Sequence, residues 1–328
     1  MRPRKVTSTD IARILGVSQS TVSRAFNPNA SISSKKREMV LEGARKLGYT
    51  PNAIARSLTS KRSGLIAIVT DSETNPIYDE ITRKLSYAVQ EKGGQPVLCL
   101  ADNHNMERAV NKAIEYQVDG LIIATSHLSG KLLEKCLDYG IQLTFINQYL
   151  NEVKGNCFCT DNLLVGEQIA DYLKATGYQH MAYLAGDKGS MVNEERWVGF
   201  RDRLLKHGAN PPLYVQGTFS FQSGLNAANT IMNQFKDIDA IFCANDIIAV
   251  GLLEGLKGYP EYKSVAVIGV DDISMASWPS FQLTSYRQPL EIMINDAIDE
   301  ILERIETSEE ATGQTHRYAG ELIVRNTA

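Results

Sequence analysis

The sequence predicts an α/β protein in which a small helical head precedes two doubly wound lobes built on parallel sheets. Three observations carry this prediction. Residues 9–24 contain a helix-turn-helix pattern, the net charge changes sign after residue 62, and apolar strands alternate with helices from residue 64 onward. A chain of 328 residues is too long for one core, so two or three compact units are expected.

Residues 9–24 are predicted to form two short helices joined by a glycine turn. Ile11 and Leu15 recur at helical spacing, so the first helix buries one stripe of side chains. Gly16 suits the tight turn, because a glycine adopts conformations that other residues resist. Ser18 stands where an N-cap belongs and opens the second helix.

The second helix presents a short polar face. Val22 and Phe26 are expected to hold it against the core, and its outward side chains are Gln19, Ser20, Ser23 and Arg24. Such a face fits the major groove of DNA and can read base edges. The spacing alone also fits an ordinary surface hairpin of helices.

The charge distribution decides between these two interpretations. Residues 1–62 carry 13 Lys and Arg against 3 Asp and Glu, a net charge of +10. The remaining residues carry −14, because the whole chain carries −4. A basic head on an acidic body suits a protein that binds the phosphate backbone through one small module. The sequence therefore favours DNA binding by the head.

The head continues into a third helix and a linker. Ser33 or Ser34 opens this helix and Gly48 ends it, with core side chains expected at Met39, Val40, Ala44 and Leu47. Residues 52–58 have helical propensity, but so short a helix is marginal alone, so we expect it to fold on DNA. Leu58 would then be a wedge between minor-groove base steps, or it packs on the neighbouring domain.

The remainder alternates strands with helices. In the first half, strands are predicted near 65–69, 96–100, 120–124 and 142–147, with helices near 78–92, 107–116 and 131–139. After Asp161, strands are predicted near 181–185, 213–218, 240–244 and 265–269, with helices near 163–175, 194–206, 223–235 and 247–256. A last helix (290–305) and a last strand (321–324) follow, and periodicity does not assign them to a lobe.

Polar residues follow many of the predicted strands or open the helices after them. Ligands bind beyond the carboxyl ends of such strands, and two facing lobes form a cleft there. The candidates are Asp71, Asn75, Asn147, Asn193, Arg196, Phe219, Asn245, Asp246, Asp271 and Asp272. Amide, carboxylate and guanidinium groups beside an aromatic ring suit a polyhydroxylated or small charged ligand. Each Asn or Asp alone serves equally well in a turn or a helix cap, and Arg196 and Asp271 are the strongest candidates.

Several classes of protein are disfavoured. The five cysteines have no disulfide or zinc spacing, which indicates buried free thiols and a reducing cytoplasm. No apolar run approaches the ~20 residues of a membrane helix, and no apolar segment of a secretory signal follows the N-terminus. The five histidines are scattered, and catalytic or phosphate-binding motifs are absent, so we expect no enzyme, cofactor or metal. The basic head contradicts a pure solute-binding protein.

The chain resembles the lactose/galactose repressor family of bacterial transcription regulators over essentially its whole length. In the head and linker the motifs are Asp10-Ile11-Ala12-(x)3-Gly16-Val17-Ser18-(x)2-Thr21-Val22-Ser23-Arg24 and Gly48-Tyr49-(x)-Pro51-Asn52-(x)2-Ala55-Arg56-(x)-Leu58. In the body they are Asn75-Pro76, Arg196-(x)2-Gly199-Phe200, Ala244-Asn245-Asp246-(x)2-Ala249-(x)-Gly251 and Val267-Ile268-Gly269-(x)-Asp271-Asp272.

The resemblance implies a repressor that binds a palindromic operator as a homodimer and is controlled by a sugar, sugar acid or sugar phosphate. It implies a helix-turn-helix head (1–50), a hinge helix (51–62) and a periplasmic-binding-protein-like core (63–328). Within the core, three crossovers exchange the chain between lobe 1, about 63–158 and 289–315, and lobe 2, about 159–288 and 316–328.

The resemblance also implies roles for individual residues. Ser18, Gln19, Ser20 and Arg24 would read bases, while Thr7, Ser23, Asn27, Ser33 and Tyr49 would help to hold phosphates. Leu58 would be the minor-groove wedge, and the DNA-binding set also includes Ser8, Thr21, Asn52 and Ala55. The effector positions would be Asn75, Asn147, Asn193, Arg196, Phe219, Asn245, Asp271 and Gln288.

Two departures from the lactose repressor matter. Asn147 stands where that protein has an aspartate, so its sugar need not be the ligand of this chain. The chain ends at Ala328 without the leucine heptads that make that protein a tetramer, so a dimer is expected. Effector-driven release from DNA and effector-driven recruitment to DNA are both compatible with this scaffold.

Overall fold

The computed structural model describes residues 6–26, 30–50, 62–71, 75–101, 106–124, 130–147, 155–235, 237–259 and 265–328. The chain divides into two units, Met1–Ser63 and Gly64–Ala328. The first unit is the helical head, and the second contains both parallel sheets.

The head contains α1 (Ser8–Leu15), α2 (Gln19–Ala25) and α3 (Ser34–Lys46). A capping box starts α1, because Thr7 Oγ1 accepts the Asp10 N–H and the Asp10 side chain accepts the Thr7 N–H. Gly16 has a φ of 65°, the left-handed conformation that ends α1 and turns the chain. Ser18 Oγ accepts the Thr21 N–H at 3.1 Å, which confirms Ser18 as the N-cap of α2.

A small apolar core holds these three helices together. Its buried members are Ile11, Ala12, Val22, Ala25 and Val40. The expectation that Met39 belongs to this core is wrong, because Met39 is 40% exposed. The inward stripe of α3 runs instead through Val40 and Ala44.

The first lobe opens the second unit. Its elements are β1 (Leu65–Asp71), α4 (Ile77–Glu91), β2 (Gln95–Ala101), α5 (Met106–Glu115), β3 (Gly120–Ala124), α6 (Gly130–Asp138), β4 (Gln142–Ile146) and β5 (Asn156–Thr160). All described strand pairs of this sheet are parallel. Strands β1 and β3 are apolar because helices cover both faces of the sheet.

The second lobe repeats the arrangement. Its elements are α7 (Asn162–Thr176), β6 (Met181–Leu184), α8 (Met191–Lys206), β7 (Leu213–Val215), α9 (Phe221–Gln234), β8 (Ala240–Cys243), α10 (Asp246–Leu256), β9 (Ala266–Asp271) and β10 (Thr284–Arg287). The chain then forms α11 (Leu290–Thr307), β11 (Thr315–Tyr318) and β12 (Glu321–Ile323). The predicted pair of doubly wound sheets is confirmed, with one antiparallel edge strand, β12.

The sheet orders show how the chain passes between the lobes. The first sheet runs β11-β5-β4-β3-β1-β2 and the second β12-β10-β9-β8-β6-β7. The chain therefore crosses after β5, after β10 and after β11. Because Thr315–Tyr318 pairs with β5, the first sheet extends a few residues beyond the boundary expected near 315.

The helix α11 is anchored to the first lobe, although periodicity did not assign it. Arg304 is buried and its Nη2 donates to the Leu143 carbonyl and to Thr144 Oγ1, both at 2.8 Å. Glu300, one turn earlier on α11, pairs with the same guanidinium. These bonds satisfy a buried charge and hold α11 against β4.

The five cysteines are free and buried, as the sequence predicted. Burial raises the pKa of Cys136 to about 11 and that of Cys159 to about 12. In the parts of the chain that the structure describes, no helix has both the length and the apolar content needed to cross a membrane.

Candidate functional site

The polar face of α2 in the head is exposed as predicted. The exposed side chains are Ser18, Gln19, Ser20, Ser23 and Arg24, and Thr21 is half-buried. Ser18 Oγ lies 2.8 Å from both Ser20 Oγ and Thr21 Oγ1. Gln19 Nε2 donates to Ser8 Oγ of α1 at 3.0 Å, so Ser8 orients the amide that leads α2.

Two of the five predicted phosphate-holding residues lie at helix starts. Thr7 caps α1, and Ser33 precedes α3 without a side-chain capping bond. Backbone N–H groups at helix starts attract anions, which suits phosphate. The Tyr49 ring meets Phe26 edge-on at 5.6 Å. Four further predicted contacts lie outside the described residues, and they are Asn27, Asn52, Ala55 and Leu58.

Polar side chains from both lobes meet at the carboxyl ends of the strands in the second unit. Asp271 ends β9, and its carboxylate accepts from Asn75 Nδ2 at 3.1 Å and from Gln288 Nε2 at 2.6 Å. Asn75 belongs to the first lobe, whereas Gln288 follows β10 at the second crossover. All three side chains are buried. The structure therefore brings three of the predicted ligand residues into one hydrogen-bonded group between the lobes.

Arg196 lies in the same region and is 2% exposed. Its Nε donates to Asn162 Oδ1 at 2.8 Å, and its Nη1 donates to the Ala244 carbonyl at 2.5 Å. Burial raises the pKa of Asp271, and the positive charge of Arg196 opposes that shift. Arg196 thus stabilises the ionised form of Asp271.

Two buried amide atoms are a more direct indication of a ligand site than any sequence motif. Asn147 follows β4 with a φ of 59°, and Asn245 caps α10 by accepting the Ile248 N–H. Among the described residues, the buried Asn147 Oδ1 and Asn245 Nδ2 have no hydrogen-bond partner. Leaving a buried polar atom unpaired costs about 1–3 kcal/mol. A group that both donates and accepts, such as a hydroxyl, could satisfy an acceptor of this kind and a donor of this kind.

Two further predicted ligand residues, Asn193 and Phe219, have different surroundings. Asn193 Oδ1 accepts from the Gly186 N–H at 2.7 Å and from the Tyr183 hydroxyl at 3.1 Å, and Asn193 Nδ2 bonds the Tyr214 hydroxyl at 3.4 Å. Its polar atoms therefore brace the second lobe. Phe219 does not end a strand, because β7 stops at Val215. Its ring lies over Gly186, where an added Cβ would come within 2.3 Å of the ring.

Asp246 is a buried carboxylate beside this group. Its Oδ1 accepts from Ser285 Oγ at 2.6 Å and its Oδ2 from the Ile273 N–H at 2.9 Å. Burial, and then the charge of Asp271, raise the pKa of Asp246 well above its usual range. Folding therefore favours the protonated form of Asp246 more than the unfolded chain does.

Thr160 and Asn162 also contact the predicted ligand residues, and the sequence motifs did not identify them. Thr160 Oγ1 donates to Gln288 Oε1 at 2.8 Å, and Asn162 accepts from Arg196. The available signal was their place at a strand-to-helix junction, where polar side chains beyond a sheet edge gather. Among the described residues, no group of three or more His, Cys, Asp or Glu side chains could hold a metal ion.

Comparison with known proteins matches both units. Residues 63–318 match the family model described as periplasmic binding proteins and sugar binding domain of LacI family. Residues 7–52 match the model described as bacterial regulatory proteins, lacI family. The HTH-type transcriptional regulator CelR of Thermobifida fusca is 30% identical over 327 residues, which cover 96% of this chain and 94% of that protein. The ribose operon repressor of Escherichia coli (strain K12) is 30% identical over 306 residues, which cover 91% of this chain and 93% of that protein.

Solved structures of other proteins have the same fold as this chain. The lac repressor dimer bound to operator and the anti-inducer ONPF aligns with a TM-score of 0.82 at 24% identity, covering 99% of both chains. A complex of the transcriptional regulator CelR with cellobiose aligns with a TM-score of 0.73 at 26% identity, covering 99% of this chain and 100% of that one.

Proposed function

The chain belongs to the LacI family of bacterial regulatory proteins, and we propose that it is a repressor whose affinity for operator DNA is set by a small carbohydrate-like effector. It is a transcriptional regulator rather than an enzyme. One observation supports the effector most directly: among the described residues, the buried Asn147 Oδ1 of the first lobe and the buried Asn245 Nδ2 of the second lobe have no hydrogen-bond partner.

On the DNA side, α2 is the recognition helix. The N-cap Ser18 and the exposed Gln19, Ser20 and Arg24 reach base edges, since amide, hydroxyl and guanidinium groups each pair with them. Residues 1–50 form the DNA-binding head and 51–62 the hinge. Leu58, in the hinge, is the wedge that opens a minor-groove step.

On the effector side, the ligand lies between the lobes of the core, residues 63–328. A sugar, sugar acid or sugar phosphate has hydroxyls that donate to Asn147 Oδ1 and accept from Asn245 Nδ2. Asp271, Gln288, Asn75 and Arg196 surround the same space, and Phe219 and Asn193 complete the predicted set. Ligand binding changes operator affinity through its different affinities for two lobe arrangements.

The assembly and location follow from the family. The proposal includes a homodimer on a palindromic operator, since family members that bind operator DNA include a dimer. Each head then reads one half-site. The proposal also includes a cytoplasmic location.

The DNA part is tested by selecting bound sequences from randomised DNA with the full chain and then titrating the selected site. We expect a palindrome. Arg24→Ala should change which bases are preferred, whereas the control Lys46→Ala, which removes an exposed α3 charge, should weaken all DNA alike. Selection of no palindrome, or equal behaviour of the two variants, would contradict the proposal.

The effector part is tested by a thermal-shift panel of neutral sugars, sugar acids and sugar phosphates. A ligand at 100 times its dissociation constant stabilises the fold by about 2.7 kcal/mol. Asn245→Asp keeps an acceptor for the helix cap but removes the orphaned donor, so it should abolish the shift. The control Asn229→Asp makes the same change at an exposed position of the same lobe and should retain the shift. Retention of the shift in Asn245→Asp would place the ligand elsewhere.

A further inference from the structure

Hydrogen bonds between side chains connect each of the three lobe crossovers to another part of the core. At the first crossover, Thr160 bonds Gln288 of the second crossover, and Asn162 accepts from Arg196, each at 2.8 Å. At the third crossover, Arg317 of β11 bonds Glu195 of α8. The first two links end on predicted ligand residues. The third ends one residue before Arg196 and has no role in the proposed ligand site.

The link between Glu195 and Arg317 is an ion pair between the lobes. Arg317 lies in the first sheet, and Glu195 lies on a helix of the second lobe. The Nη1–Oε2 and Nη2–Oε1 distances are both 2.8 Å, so the two groups meet as parallel forks. The side chains are 33% and 15% exposed. Such a bidentate pair fixes orientation as well as distance.

The helix α8 transmits this constraint to the cleft. Consecutive helical residues point about 100° apart, so Glu195 can reach the first sheet while Arg196 reaches Asn162. The helix α8 also packs backbone against backbone on α7. A Cβ at Gly199 would lie 2.1 Å from the Leu163 carbonyl oxygen, and a Cβ at Gly166 would lie 2.3 Å from that of Arg196. The backbones of the two helices therefore pack directly against each other at these glycines.

We propose that the Glu195–Arg317 pair is an inter-lobe brace that positions α8, and with it Arg196, against the first sheet. The brace holds the lobe arrangement in which Glu195 and Arg317 meet, and both residues act as positioning residues. The proposal deepens the regulatory part of the proposed function, and it rests on that function only for the role of Arg196 toward ligand.

The test measures the distance between the lobes without ligand. Spin labels are placed on Lys112→Cys in the first lobe and Lys257→Cys in the second, both exposed positions. The native cysteines are buried, which disfavours their labelling. Pulsed electron paramagnetic resonance on the full chain, with labelled chains diluted into unlabelled ones, gives the distance distribution. The variants are Glu195→Gln, Arg317→Gln and the charge reversal Glu195→Arg with Arg317→Glu.

In each single variant, we expect the ratio of the main lobe arrangement to all other lobe arrangements to fall by about three- to tenfold. The charge reversal should restore it. The matched control is Arg203→Gln. Arg203 lies on α8, as Glu195 does, but its bidentate pair with Asp171 of α7 (2.7 and 2.8 Å) stays within the second lobe. That control should leave the distribution unchanged.

Three results would each overturn the brace: unchanged distributions in both single variants, an equal change in the Arg203→Gln control, or no restoration by charge reversal. A purely structural role would lower thermal stability without moving the lobes. Failure of the effector assignment would appear in the ligand panel and would leave these distances unaffected.

Discussion

Replacing Arg196 by alanine should separate the sensing of ligand from the binding of DNA. The guanidinium is buried, bonds Asn162 and the Ala244 carbonyl, and opposes the burial-driven rise in the pKa of Asp271. Removing it leaves two acceptors, Asn162 Oδ1 and the Ala244 carbonyl, unpaired at about 1–3 kcal/mol each, and takes away the charge that opposes the rise in the pKa of Asp271. We therefore expect the free energy of unfolding to fall by about 2–6 kcal/mol.

The effect on ligand is a separate quantity. One charge-assisted bond contributes about 1.5–3 kcal/mol, so Arg196→Ala should weaken the effector by roughly 10- to 100-fold. The head folds around its own core of Ile11, Val22 and Val40, far along the chain from Arg196. Operator binding without effector should therefore remain intact.

Three measurements on the same preparation check this reasoning. Urea titration gives the unfolding free energy, thermal shift with the selected sugar gives ligand affinity, and operator titration with and without that sugar gives the response. Arg203→Ala is the control, because it removes an arginine of the same helix that pairs with Asp171 near the surface. Wild-type ligand affinity in Arg196→Ala would refute the ligand role. Loss of operator binding by the ligand-free, folded variant would make Arg196 a structural residue.

Three further outcomes are expected. Gln19→Ala should cost about 1–3 kcal/mol on the best operator and change the preferred bases, measured by competition between DNA sites; equal loss on random DNA would contradict base reading. Leu58→Ala should reduce operator bending in circular-permutation gels with effector affinity unchanged, and an unaltered bend would exclude the wedge. The raised pKa of Asp246 means that its contribution to stability is present below about pH 4 and is lost as pH rises through the raised value. Asp246→Asn should therefore flatten the fall in unfolding free energy as the pH rises above about pH 4, measured by urea titration, and an unchanged slope would refute this linkage.

Local chemistry made the head predictable. Gly16 and Ser18 act through bonds to residues three or four positions away, so their roles as turn and N-cap follow from the sequence alone. The lobes were predictable for a similar reason, since apolar strands such as Leu121 to Ala124 must be covered on both faces. Short strands were harder to predict. Strands β10 and β11 have only four residues each, including polar ones, and they are strands because they pair with neighbouring strands of a sheet.

The cleft was predictable as a location but not as a set of bonds. Strand ends identified Asn147, Asn245 and Asp271, because parallel strands bring their carboxyl ends to one edge. Which amide atoms are satisfied depends on partners far away in the chain. Asn193 is engaged by Tyr183 and Tyr214, whereas Asn147 and Asn245 keep one atom unpaired.

The order of the units and the charge contrast between head and body follow from composition and short-range periodicity, which are properties of the chain. The resemblance to the family depends on the motifs of the chain, which are also local. By contrast, the bond between Asn75 and Asp271 spans 196 residues and that between Glu195 and Arg317 spans 122, so both are visible only in the folded chain. Such contacts arise when two sheets close on each other, and neither partner carries a local signal of the other.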